Sequence, residues 1–157
     1  MRPVPATAVD LIHRFEGQNG TFEATRTQDP DGNWEIGWSH KLSGPDDPLW
    51  DATLDLQGSD DLAMQDLTLA ANGAWVALGD KAVQSLTVNQ WAVVLDFIYN
   101  EGLVHFKTST FAHFIQTGSL DAAAEELPRW VYSGKPPRAL AGLIRRRNAE
   151  VALWHTP

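Results

Sequence analysis

The chain has 157 residues and carries 20 acidic against 12 basic side chains, a formal net charge of −8. With 43% apolar and 20% charged residues it has enough core-forming side chains for one globular domain over 1–157 and too few charges for a disordered tail. Zero cysteines exclude a disulfide scaffold, a thiolate metal site and a cysteine nucleophile, and the acidic balance argues against nucleic acid as a partner.

Pro3, Pro5 and Asp10 interrupt the N-terminal stretch before an apolar run of signal-peptide length forms. The richest apolar stretch, Trp91 to Leu95, stops at Asp96, far short of the ~20 residues a membrane span needs. No export signal and no stable membrane association are expected. Ala8, Leu11, Ile12 and Phe15 recur at helical spacing and Gly17 supplies a stop, which predicts a first helix over about 6–16 with Glu16 at its end. Asp29-Pro30-Asp31-Gly32-Asn33 then reads as a turn leading into the alternating Trp34-Glu35-Ile36-Gly37-Trp38, so residues ~20–40 read as a small β element. Ser43 to Gly58 reads as a connection. From Ser59 the pattern is helical, through Leu62, Leu69, Ala70 and Trp75.

Thr87-Val88-Asn89-Gln90 is a capping-box sequence opening a helix through Trp91, Leu95 and Tyr99, with Gly102 past its end. Shorter helices are expected over Ser109–Gln116 and Leu120–Leu127, the latter stopped by Pro128, and a last one runs from Leu140 to Trp154. Of the seven tryptophans, Trp75, Trp91, Trp130 and Trp154 fall on apolar helix faces and read as core, while Trp34 and Trp38 are placed to line a cleft. The Arg145-Arg146-Arg147 triplet reads either as a solvated helix face or as a local anion holder. The fold class is α+β: a small β lobe at about 20–50 and a larger helical lobe with a cleft between them.

Glu16, Asp29 and Glu35 are the candidate catalytic groups. Glycosidic hydrolysis needs one carboxyl kept protonated and another group kept ionised across the sugar. A helix C-terminus disfavours the ionised form of Glu16, whereas an open polar turn leaves Asp29 charged. A calcium loop over Asp29, Asp31, Asn33 and Glu35 is rejected, because Trp34 stands where the turning glycine belongs and His40 where the bidentate carboxylate belongs. The five histidines show no ligand spacing, so neither metal nor cofactor is expected.

Phe15-Glu16-Gly17 and Asp29-Pro30-Asp31-Gly32-Asn33-Trp34-Glu35-Ile36-Gly37-Trp38-Ser39-His40 resemble the Phe-Glu-Gly and Asp-Pro-x-Gly-x-Trp-Thr-Ile-Gly-Tyr-Gly-His segments of the phage-type lysozymes. Downstream, Gln90, Tyr99-Asn100-x-Gly102, Phe106-x-x-Ser109-Thr110, Arg129-Trp130-Val131-Tyr132 and Gly142-Leu143-x-x-Arg146-Arg147-x-x-Glu150-x-x-Leu153-Trp154 follow the same family in order. The resemblance covers nearly the whole chain.

It implies a muramidase that cleaves the β-1,4 bond between N-acetylmuramic acid and N-acetylglucosamine, normally with inversion. Glu16 matches the general acid and Asp29 the second carboxylate. It further implies an endolysin, a monomer made in the bacterial host cytoplasm and released to the peptidoglycan. A lysozyme-like peptidoglycan-binding protein with altered or lost catalysis is the alternative. Lys41, Tyr99, Asn100 and Ser109 match saccharide-contact positions, Arg146 is placed to reach Glu16, and His40 with Asp66 is placed to form an ion pair tying the lobes.

The chain departs from the family in spacing and at particular positions. Twelve residues separate Glu16 from Asp29, which requires a four-residue insertion in the Gln18–Thr27 stretch. If the insertion lay directly after the acid, Thr25 would take the second site. Glu35 stands where the family has a threonine that helps hold the attacking water, Ser39 replaces a glycine, and Lys41 replaces an apolar residue. Glu35 is therefore expected to share or take over the base role, or to serve as a nucleophile, the other reading being a strand-edge surface glutamate in an enzyme run by Asp29. A separation of ~6.5–9.5 Å from Glu16 would suit inversion, and ~5.5 Å retention.

Overall fold

The computed structural model describes residues 2–17, 20–29, 31–134 and 136–157. Gln18 and Asn19 of the expected insertion, and Pro30 of the expected turn, lie outside the described residues. The chain divides into two compact units, Val9–Asp66 and Met1–Ala8 with Leu67–Pro157. The sheet-bearing unit is thus wider than the β lobe expected at about 20–50. It takes in most of the first helix, α1 (Ala6–Phe15), and the start of a long helix, α2 (Leu56–Leu78).

Within Val9–Asp66, three strands form one antiparallel sheet in the order β1 (Glu23–Gln28), β2 (Trp34–Gly37), β3 (His40–Lys41). Thr27 lies opposite Glu35, and Glu35 in turn lies opposite Lys41. The turn from β2 to β3 uses left-handed backbone at Gly37 (φ 66°) and at Ser39 (φ 62°). Ile36 is fully buried and Trp38 is 4% exposed, its indole Nε1 donating to Asp60 Oδ1 at 2.8 Å. Trp38 is therefore a packed anchor and not a cleft-lining residue. Trp34 is half-buried, edge-on to Trp50 at 5.1 Å. Helix α2 starts at Leu56, earlier than the Ser59 expected, because Asp55 Oδ1 accepts the Gly58 amide at 2.8 Å and so supplies the cap.

The second unit is helical. Thr87 and Gln90 form the expected capping box at the head of α4 (Val88–Glu101), and every residue from Trp91 to Ile98 is buried. Phe97 on α4 packs against Phe111 and Trp130, each with ring centroids 5.0 Å away. Around it lie α5 (Leu103–Thr108), α6 (Thr110–Gln116), α7 (Leu120–Glu126) and α8 (Ala141–Trp154), with a short α3 (Asp80–Ser85) before α4. A 3₁₀ turn over Leu127–Arg129 and a hairpin of β4 (Tyr132–Ser133) and β5 (Arg138–Ala139) join α7 to α8. Trp91 and Trp154 are core, at 0% and 2% exposure, while Trp75 and Trp130 are only half-buried.

Candidate active site

Helix α1 delivers Glu16. Its amide still donates to Ile12 O at 2.8 Å, and Gly17 then leaves the helix at φ 70°. A side chain at residue 17 is excluded twice, by that φ and by Thr21 O, which would lie 2.1 Å from a Cβ. Glu16 is half-buried and lines a cavity of about 430 Å³ together with Phe15, Glu23, Thr27, Asp29, Glu35 and Ser39, all within Val9–Asp66. The three candidate carboxylates of the sequence are thus brought to one cavity.

Asp29 folds its own turn. Its Oδ1 accepts the amides of Asp31 at 3.0 Å and Asn33 at 2.8 Å, and its Oδ2 accepts Asn33 Nδ2 at 2.9 Å and Lys41 Nζ at 2.7 Å. Desolvation pushes its pKa up, but the hydrogen bonds from Lys41 and Asn33 outweigh this and hold the carboxyl far below the ordinary carboxylate range. Glu35 accepts Lys41 Nζ on Oε2 at 2.9 Å and the Ser39 hydroxyl on Oε1 at 3.3 Å. Lys41 therefore bridges two carboxylates across the β2–β3 register, a bridge that sequence reasoning missed. The missed signal was an opposite-charge pair at directly opposed strand positions. Desolvation acts against the Lys41 charge, but Asp29 and Glu35 raise its pKa overall.

His40 Nδ1 and Asp66 Oδ2 are 2.8 Å apart, the ion pair expected. Both residues belong to one unit, so the pair braces β3 against the start of α2 and is not a tie between units. The Asp66 hydrogen bond raises the His40 pKa against an opposing desolvation.

The remaining candidates lie in the helical unit. The Ser109 hydroxyl is 8% exposed as a residue and already committed, accepting Ala112 N at 3.0 Å and donating to Phe106 O at 2.7 Å. It caps α6. Asn100 Oδ1 accepts from Arg147 Nη2, and Tyr99 is half-buried. Arg146 makes a two-pronged pair with Asp96, Nε to Oδ2 at 2.9 Å and Nη2 to Oδ1 at 2.7 Å. Beside it, Arg147 donates to Glu150 and to Glu101. Two of the three consecutive arginines are thus interior groups, a partnership with Asp96 and Glu150 that helix periodicity alone did not reveal. Burial opposes the Asp96 charge, but Arg146 lowers its pKa overall; burial and the Asp96 charge together raise Glu150 well above its ordinary value. Among the described residues no cluster of three or more potential metal ligands occurs.

Residues 14–150 match the phage lysozyme family. The chain belongs to that family. An endolysin of Bacillus phage PZA is 29% identical over 155 residues, covering 98% of this chain and 55% of that protein. The chain therefore spans about half the length of that curated relative. The muramidase domain of SpmX from Asticaccaulis excentricus superimposes with a TM-score of 0.83 at 28% identity, covering 100% of both chains. An endolysin from Escherichia coli O157:H7 phage FAHEc1 gives 0.81 at 20% identity over 99% of this chain and 94% of that one, a likeness of fold. The α+β architecture is accordingly the lysozyme-like fold of the family. No helix among the described residues is long and apolar enough to cross a membrane.

Proposed function

We propose that the chain is a peptidoglycan muramidase of endolysin type, cleaving the β-1,4 bond between N-acetylmuramic acid and N-acetylglucosamine. The observation that carries the reading is the cavity at which Glu16, Asp29 and Glu35 meet, with Lys41 held by the latter two. That arrangement suits a division of labour in which Glu16 gives its proton to the bridging oxygen while Asp29, held by Lys41 and Asn33, stays ionised. Tyr99 and Asn100 remain the proposed saccharide contacts of the helical unit. Family membership and the SpmX muramidase likeness support the substrate class, and the endolysin relatives support a reading in which the protein is released from a bacterial host's cytoplasm to its wall. No cofactor is invoked, and the enzyme is read as a monomer.

The test is release of reducing ends from purified peptidoglycan. The wild-type protein releases them as ordinary, not 1,6-anhydro, muramic ends, and Glu16→Gln lowers kcat by about 10²–10⁴-fold. Tight binding of peptidoglycan by the wild type with no reducing ends released would replace this reading with that of a binding protein.

A further inference from the structure

Asp29 and Glu35 are not equivalent acceptors. An ionised carboxylate offers about four lone-pair sites. Asp29 has four donors on them, two backbone amides, one side-chain amide and the Lys41 ammonium. Among the described residues Glu35 has two, Lys41 and the longer Ser39 contact, and both it and Asp29 keep side chains about 15% exposed at the cavity. Protonating Asp29 would break a turn; protonating Glu35 would break nothing in the backbone. We propose that Glu35 is the carboxylate that receives the proton of the attacking water, and that Lys41, anchored on Asp29, is a positioning residue that aims it.

This rests on the muramidase reading. In the step, Glu35 takes a proton from water as the water oxygen bonds to the anomeric carbon. The bond from that carbon to the bridging oxygen breaks, and the bridging oxygen takes the proton of Glu16. Glu35 is left neutral and Glu16 ionised, and solvent returns a proton from one to the other. The product is inverted. Lys41 sets a positive charge against both opposing carboxylates in a cavity that also holds Glu16 and Glu23, with Asp31 on the adjoining turn. The lowered pKa of Asp29 agrees, because so weak a base takes no proton at working pH.

Azide rescue separates the roles. Purified peptidoglycan is digested by Glu35→Ala and by Asp29→Ala with sodium azide present, and glycosyl azide is sought by mass spectrometry. Expected are an inverted glycosyl azide and recovered turnover for Glu35→Ala, and none for Asp29→Ala; rescue of Asp29→Ala alone, or a wild-type product of retained configuration, overturns the proposal. For Lys41→Met the acid limb of kcat/KM moves to higher pH and Lys41→Arg restores it, whereas peptidoglycan binding to Glu16→Gln is unchanged by adding Lys41→Met. An unmoved limb, or lost binding, would make Lys41 a sugar contact and sink its positioning role. Full activity in Glu16→Gln would instead remove the muramidase site on which the proposal stands.

Discussion

Lys41 in the sheet-bearing unit and the Arg146–Arg147 pair in the helical unit each gather carboxylates, but in opposite surroundings. The Lys41 side chain is 56% exposed, whereas those of Arg146 and Arg147 are 4% and 0%. In the dry cluster each charge is fixed by a partner that solvent cannot replace, so the cluster holds α4 to α8 and is fit for little else. In the wet cluster the same types of group are attracted weakly, and two carboxylates are left facing a cavity that a substrate can enter. Burial decides which set is scaffold and which is available for chemistry.

Asp96 is the residue at which the two clusters should differ most. Asp96→Ala removes the two-pronged partner of the buried Arg146 and is expected to cost about 3–5 kcal/mol in urea denaturation, while Glu150→Gln, which mimics the neutral side chain, costs far less. Equal costs for the two would mean that Glu150 carries its charge and that the dry cluster is misread. Glu35→Gln is expected to lower kcat by roughly 100-fold, equivalent to ~2.7 kcal/mol, without moving the urea midpoint. A fall in stability with activity intact would make the wet cluster scaffold too.

The His40–Asp66 pair is an intermediate case, with side chains 23% and 25% exposed. Because the folded pKa of His40 is raised above 6.5, its contribution is full below pH 6.5 and is lost as pH rises through the folded value. Asp66→Asn should therefore cost about 1 kcal/mol at pH 5.5 and less at pH 8.5, read from paired urea curves. A cost that grew with pH would reverse the assignment. The smallest effect is expected for the stability of Lys41→Met, under about 1 kcal/mol by thermal melting, since an exposed ammonium is screened and replaceable by water.

The parts of this structure that were legible in the sequence are those set by local chemistry. Thr87 and Gln90 form their capping box from four adjacent residues, and Gly17 ends α1 because no other residue suits its backbone. The short helices α3 and α5 were not legible, because six residues give too little periodicity to read and both follow a glycine. The arginine triplet was left between a solvated face and an anion holder because a charge at a core-facing position is recognisable only once its partner, here Asp96 fifty residues upstream, is known. At the cavity, the positions of Glu16, Asp29 and Glu35 were readable, but their hierarchy was not. Glu35, Ser39 and Lys41 each appeared as a separate departure from the family pattern. In three dimensions they meet at one carboxylate, with Ser39 held in left-handed backbone where its hydroxyl reaches Glu35.

The ionic interior of the helical unit also bears on how the molecule responds to heat. Hydration of ions carries a strongly negative entropy, so the penalty for keeping Asp96, Arg146 and Arg147 away from water shrinks as temperature rises, while the gain from apolar burial levels off. Replacing the cluster with well-fitted apolar side chains should thus help most in the cold and progressively less towards the melting range, and calorimetry of such a variant would show the two stability curves converging on warming.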